Sequence, residues 1–469
     1  MISIEKIFGI RLWMLLLCIF ITSCVDRNRD LSETPEEDLP KLSGVPSFNW
    51  YDAYVTISTD QSSTSLNADY APLKYDKHMI LSYTIDDIPI TAYSRAFAII
   101  NRHFVDDIQN FHVGFKHTTG LMPEKTLGYT DGCGTEIRFA LGLSIWPTIS
   151  SSIIPDYMGY RKLGTAYPYL VWKDVIPIID FGGDIYFHDV NIRFSKDGNL
   201  DSLRAGFSYD QARTTERIGR MIKTLVVPNG DKKFYEAAFT YNPITIISDQ
   251  GGSDVIYPKK LTTDLHKKYM SRYYFDRDEK IADYFTQIKA NYDSDNPYWF
   301  QFFNHGATSA FMQLLRKIND TYGKDGSDNI WFATIDEVYE YYHFKANYPI
   351  NKTVDGKRTT FRIMPMSTYK LPEECTYHRD FTLLVTGLES MNGVTLTFGP
   401  NVYGYSYKYR PEDKTLMINL NCNPSLLERA QRYTDIYKDS PSDESKADAL
   451  YFINQLSPER RTSFLNSIN

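Results

Sequence analysis

Leu81-Ser-Tyr-Thr-Ile-Asp-Asp-Ile-Pro89 is an apolar run that stops abruptly on two adjacent carboxylates. Residues 79–85 have the length and the aromatic and β-branched content of a buried strand. Asp86 and Asp87 therefore fall where a strand gives way to a helix. Two like charges side by side repel, and one is driven toward its neutral form unless a cation or strong donor intervenes. Two readings follow. One is a solvated turn in which an Asp caps the next helix. The other is a working pair, one carboxylate holding a metal while its neighbour takes a proton.

Outward from this stretch, strands and helices alternate. Tyr93, Phe97, Ile100, Phe104 and Ile108 recur at helical spacing. Residues 172–181 read as a helix leading to the strand Ile185-Tyr-Phe187. Residues 214–223 and 233–239 read as helices, and residues 224–227 and 244–247 as the strands that follow them. Residues 298–303 form an aromatic strand before a helix with Phe311, Leu314, Leu315 and Ile318 on one face. Ile330-Trp-Phe-Ala333 is another strand, and Thr334-Ile-Asp-Glu337 has the form of a capping box. The alternation predicts an α/β fold with parallel strands inside a ring or layer of helices. Residues 113–166 and 249–283 lack the pattern and read as insertions at one end.

After residue 348 the rhythm changes to short strands at 359–364, 381–388, 394–398, 403–409 and 416–421, with Asn392-Gly393 as a hairpin signal. This predicts a small antiparallel β domain. A helical tail follows, with Ala447, Leu450, Phe452 and Leu456 as its apolar face. At the other end, Lys6 and Arg11 precede an apolar run from Leu12 to Ile21, short for a spanning helix of ~20 residues. The run ends in Phe20-Ile-Thr-Ser-Cys24, which resembles a bacterial lipoprotein signal. That resemblance implies export, lipidation of Cys24 and a cell-envelope location, with the leaflet left open. The expected division is a signal at 1–24, a polar tether and edge segment at 25–74, a barrel or layered unit at 75–348, a β-sandwich-like domain at 349–423 and the helical tail at 424–469.

A net charge of −7 with no long basic run argues against nucleic acid as the main partner. The 36 tyrosines and 27 phenylalanines suit sugar-stacking surfaces and aromatic-rich strands equally. Beyond Cys18 and Cys24, only Cys133, Cys375 and Cys422 remain, with no CxxC spacing. A thiolate zinc site and a disulfide-rich scaffold are excluded; a single Cys375–Cys422 bridge stays open.

In parallel α/β folds, reactive groups gather at the C-terminal ends of strands. Asp86 and Asp87, His188, the Pro228-Asn229-Gly230 turn and His305 all take that position. Their order resembles the polysaccharide deacetylases, the NodB-homology carbohydrate esterases. Tyr-Thr-Ile-Asp-Asp-Ile-Pro89 is similar to that family's Thr-Phe-Asp-Asp-Gly-Pro motif, with Ile88 in place of Gly. Asp180-Phe-Gly-Gly-Asp-Ile-Tyr-Phe-His188 resembles the context of the metal-binding His motif, whose second His would fall at Ile192. Val226-Val-Pro-Asn-Gly230 keeps Pro and Gly of Arg-x-Pro-x-Gly without the Arg. Phe302-Phe-Asn-His305 resembles the last motif.

The resemblance covers about residues 77–346. It implies a distorted (β/α) barrel and a hydrolase that removes acetyl groups from an acetylated polysaccharide or oligosaccharide. Asp86 would be the catalytic base and His305 the acid. Asp87 and His188 would hold a divalent metal, zinc, completed by Asp189, Asp131, His112 or His117. Pro228, Asn229, Gly230 and Trp331 would contact substrate. The alternative is a weakened deacetylase scaffold that binds glycans.

Overall fold

The computed structural model describes residues 48–60, 65–105, 122–148, 169–196, 198–261, 263–366 and 376–468. The signal-like segment with Cys24, and also His112, His117 and Cys375, lie outside them. No described helix is long and apolar enough to cross a membrane.

Among the described residues, nine parallel strands make the central sheet: β1 (Met79–Ile85), β2 (Gly142–Ile145), β3 (Asp184–Phe187), β4 (Thr224–Val226), β5 (Ile246–Asp249), β6 (Tyr269–Ser271), β7 (Tyr273–Tyr274), β8 (Phe300–Asn304) and β9 (Ile330–Phe332). All seven residues of β1 are buried, as a parallel strand covered on both faces requires. The order runs β6-β5-β4-β3-β2-β1-β8-β7, and β9 pairs with the first half of β1. The two outermost strands, β6 and β7, are separated in the chain by Arg272 alone. One short segment thus bonds to β5 through Tyr269–Ser271 and to β8 through Tyr273–Tyr274. The sheet has to curl back on itself, and the result is a nearly closed (β/α) barrel.

Three of these strands, β2, β6 and β7, lie in segments expected to be insertions. β2 begins with Gly142, and a glycine weakens the strand signal. The Tyr186 ring fills the space that a Cβ at Gly142 would need, so packing demands the residue that hides the strand. The β6–β7 segment is too short on either ladder to show a period. Helix boundaries move as well. The helix expected at 214–223 is Leu200–Ile218, opened by the Asn199 side chain on the Asp201 N–H and closed by Gly219 at φ +70°. The helix after β1 winds as Ala92–Phe97 and Ala98–Asn101 and stops at Arg102, φ +61°.

Two four-stranded antiparallel sheets follow. One has the order Ile350–Asp355, Arg358–Ile363, Tyr54–Ser58, Thr395–Phe398; the other Gly404–Arg410, Thr415–Asn421, Asp380–Thr386, Asn67–Tyr70. Val55, Ile57, Phe361, Leu383, Ile418 and Leu420 from both sheets share one apolar core. Tyr54–Ser58, expected as an edge segment, is an interior strand of this sandwich. Asn392-Gly393 is not a hairpin between paired strands but carries the chain from one sheet to the other. Cys422 is buried as a free thiol, and Cys133 is free too.

The helices Ser425–Asp439, Asp443–Gln455 and Pro458–Ile468 dock back on the barrel. Tyr451 and Phe452 pack on Phe181, with ring centroids 5.5 and 4.9 Å apart. Asp448 accepts from Arg138 at 2.8 Å. The buried face is therefore built on Ala449, Phe452 and Ile453 rather than on Ala447, which is exposed.

Candidate active site

The C-terminal rim of the barrel collects the strand-end residues. Asp86 continues β1, and its N–H donates to the Asn304 carbonyl at 2.8 Å, fixing the end of β1 against β8. Its side chain turns inward and is 1% exposed, so it caps no helix. Oδ1 accepts from Ser144 Oγ at 3.0 Å and from Arg272 Nη1 at 3.0 Å, and Oδ2 lies 2.8 Å from the same Nη1. The Arg272 guanidinium lies over the Phe303 ring, 3.6 Å from its centroid. A buried carboxylate needs such a partner, and Arg272, at the seam between β6 and β7, supplies it.

Asp87 and Ile88 have φ of +63° and +44°. This left-handed step costs on the order of 1–3 kcal/mol per non-glycine residue. Ile88 stands where the resembled motif has Gly, and its side chain is fully buried. The kink turns Asp87 toward two imidazoles: Oδ1 is 3.1 Å from His188 Nε2 and Oδ2 is 3.8 Å from His305 Nε2. Burial acts to raise the Asp87 pKa, but the His188 hydrogen bond and the two imidazole charges outweigh it and hold it low.

His188 continues β3. Its Nδ1 lies 2.9 Å from the Val226 carbonyl, and its ring stacks on Trp146 at 5.9 Å and 12°. Burial acts to lower its pKa, yet Asp87, Asp86 and the Val226 carbonyl raise it above the usual histidine value. His305 continues β8. Its Nδ1 is 3.0 Å from Asp276 Oδ2, and its N–H donates to Asp276 Oδ1 at 2.8 Å. The Asp276 hydrogen bond is the main reason its pKa is raised, against a smaller opposing effect of burial. Asp276 Oδ2 also accepts from Tyr274 at 2.8 Å.

Asn229 and Gly230, with φ of +50° and +66°, turn the chain after β4 and border an open cleft with Asp249 and Tyr269. Pro228 is buried. Trp331 lies elsewhere. It pairs with Ile80 in the first half of β1, at the opposite end of the barrel from Asp86, is fully buried, and donates to Glu337 at 3.0 Å. It is a residue of the buried core. Arg272, Asp276, Ser144 and Trp146 were missed in the sequence. The run Tyr269-Met-Ser-Arg-Tyr-Tyr-Phe-Asp276 shows no period that could have pointed to the first two.

A nearly closed barrel with an arginine-paired carboxylate and a carboxylate-backed histidine on one rim defines a class: barrel enzymes equipped for acid–base hydrolysis. Residues 102–466 match the family described as "Putative polysaccharide deacetylase", and the chain belongs to that family as a polysaccharide deacetylase-like hydrolase. The matched span contains His188, Arg272, Asp276 and His305 and begins after Asp86 and Asp87. Among solved structures, the Xyl-CE4 domain of a multidomain xylanase from the hindgut metagenome of Trinervitermes trinervoides is 10% identical, with a TM-score of 0.31 over 56% of this chain and 90% of that one. A structure described as "T48 deacetylase with substrate" is also 10% identical, with a TM-score of 0.31 over 57% of this chain and 94% of that one. No curated protein matches the sequence.

Deacetylases of this type generally use a divalent metal. Asp87 and His188 would offer two donors, with His188 Nδ1 committed to Val226 and Nε2 turned toward Asp87. Among the described residues, no group of three or more His, Cys, Asp and Glu could hold one. Ile192, at the place of the second His, is apolar and 51% exposed. Asp189 Oδ1 accepts from the Val190 N–H at 2.7 Å. Asp131 is spent on its own turn and on Ser406 of the β domain. Among the described residues, the donors do not complete a three-ligand zinc site.

Proposed function

We propose that the protein removes acetyl groups from an N- or O-acetylated polysaccharide or oligosaccharide at the cell envelope, held to a bacterial membrane through Cys24. The observation that carries the chemistry is the pair of opposed devices around Asp87: Asp86 bound to Arg272, and His305 bound to Asp276. Asp86 takes a proton from the water that attacks the acetyl carbonyl. His305 gives one to the departing sugar amine or hydroxyl as its bond to the carbonyl carbon breaks. Asp276 favours the protonated imidazole that this role needs. Asn229 and Gly230 border the space for the sugar. The family resemblance would put zinc on Asp87 and His188; since these fall short of a full donor set, no step is assigned to a metal.

The same shortfall favours a second reading, a weakened deacetylase scaffold that binds glycans. The two are separated by offering N-acetylated and O-acetylated oligosaccharides, measuring free acetate with and without added zinc, and measuring binding in parallel. Acetate release supports the hydrolase. Chelator-insensitive binding with no acetate from either class would establish the second reading instead.

A further inference from the structure

We infer that the far end of the barrel carries a binding site for a small monocarboxylate of acetate's size, in a cavity where the barrel, the β-sandwich and the helical tail meet. The inference stands on this cavity and does not depend on the hydrolytic reading. The cavity measures about 80 Å³. One water needs ~10–15 Å³ and benzene fits in ~150 Å³, so the space suits a molecule of a few heavy atoms. Lys74, Arg138 and Asp180 line it from the segments that precede β1, β2 and β3; the active rim lies at the other ends of the same strands. His378 and Asp380 line it from the entry to the sandwich strand Asp380–Thr386, and Arg429 from the tail.

The lining holds donors that the protein leaves unused. His378 Nε2 lies 2.7 Å from Asp184 Oδ2, and its backbone N–H donates to Glu340 at 2.6 Å. Its Nδ1 bonds to no described residue. Burial acts to lower the His378 pKa, but Asp184, Glu340 and Glu337 raise it above the usual histidine value, which favours the imidazolium and makes Nδ1–H a donor. Arg429 Nε stops 3.8 Å short of Asp180 Oδ1, beyond hydrogen-bond range, and among the described residues nothing accepts from its terminal nitrogens. Burial, with Arg432 and Arg220 nearby, outweighs Asp180 and lowers the Arg429 pKa, so this guanidinium lacks a full counter-charge. Arg138, 3% exposed, sends Nη1 to Asn101 and Asp448, while its buried Nε has no acceptor. Leaving such donors unmet is costly.

Ion pairs account for the other charges. Arg432 neutralises Asp180, Arg138 Asp448 and Arg220 Asp184, while Lys74 is shared by Glu337 and Asp380. Arg429 and the His378 imidazolium then face one uncompensated carboxylate. The positive excess is a single charge, which a monovalent anion balances. Ala140, Phe181 and Phe452 on the same lining offer apolar surface to a methyl group, which favours acetate over chloride or phosphate.

The test titrates sodium acetate into the full chain at about pH 6, near the ordinary histidine value, at fixed ionic strength, and follows saturation transfer to the acetate methyl by NMR. Wild type is expected to bind saturably with Kd on the order of 1 mM or tighter, within reach of four heavy atoms. Equal concentrations of chloride or phosphate should displace little of it. Arg429→Gln removes the charge and should weaken binding about tenfold or more, the worth of a charge-assisted hydrogen bond; Arg429→Lys should restore most of the affinity. Asn421→Asp keeps the acceptor for the Asn423 N–H, adds a negative charge to the lining and should weaken binding likewise. Loss in Arg429→Gln with wild-type circular dichroism upholds the site, and if that variant does not fold, Asn421→Asp decides. No saturable binding in wild type, or free displacement by chloride or phosphate, overturns it. So does an affinity that both variants leave unchanged, which would place the acetate elsewhere, the active rim included.

Discussion

Arg272 Nη1 stands 3.0 Å from Asp86 Oδ1 and 2.8 Å from Oδ2, with the two side chains 3% and 1% exposed. Removing one partner of such a pair leaves a bare buried charge and costs about 3–5 kcal/mol. Arg272→Met is expected to lose that much in urea unfolding. The double variant Arg272→Met/Asp86→Asn should recover part of the loss, because it removes the stranded charge as well. A double variant no more stable than the Arg272→Met single would show that the pair is not the source of the effect.

Asp276 sets the pH range of His305. An acid must be protonated to act, so the rate falls as pH rises through the His305 pKa, which lies above the usual histidine value chiefly because of the Asp276 hydrogen bond. Asp276→Asn keeps an acceptor and loses the charge. The alkaline limb of kcat/KM should move to lower pH, by up to about one unit, which is 1.36 kcal/mol of differential interaction. The pair's stabilisation has the matching sign. It is complete below the unfolded histidine value of ~6.5 and is lost as pH rises through the raised folded value. An unmoved limb would separate Asp276 from the acid.

Metal affinity should respond to one substitution. Ile192 lies four residues beyond His188 and opens the short helix Ile192–Ser195. Ile192→His adds the imidazole that the resembled motif carries there. By calorimetry it should tighten zinc binding by about tenfold or more, one 1.4 kcal/mol step, and Asp87→Asn in that background should reverse the gain. Equal zinc affinity for wild type and Ile192→His would place any metal away from Asp87 and His188.

Gly142→Ala tests the packing that hides β2. The new Cβ would run into the Tyr186 ring, whose hydroxyl accepts from the Ile335 N–H at 2.9 Å. Overpacking of this kind costs about 1–3 kcal/mol. Denaturant unfolding should show that loss, and an unchanged midpoint would show that the Tyr186 ring does not hold the site closed.

The sequence disclosed what is local. β1 is a continuous apolar run, and Asp86, Asp87, His188 and His305 each end a strand whose composition announces it. What it concealed is long-range. Arg272 reaches Asp86 across 186 positions, from a segment that gives each neighbouring strand only two or three residues of ladder. Tyr54–Ser58 finds Arg358–Ile363 some 300 positions away, so its place inside the sandwich had no local sign. Trp331 shows the converse error. Its aromatic character suited a sugar site, but only its register against Ile80 reveals that it faces the other end of the barrel.

The most direct measurement is acetate release from one acetylated oligosaccharide by wild type and by Asp86→Asn at equal concentration. Loss of a general base costs about 10²–10⁴-fold. The account predicts steady release by wild type and a fall of that order in the variant, with folding confirmed by circular dichroism. Equal rates in the two proteins, or no acetate from wild type, would contradict it.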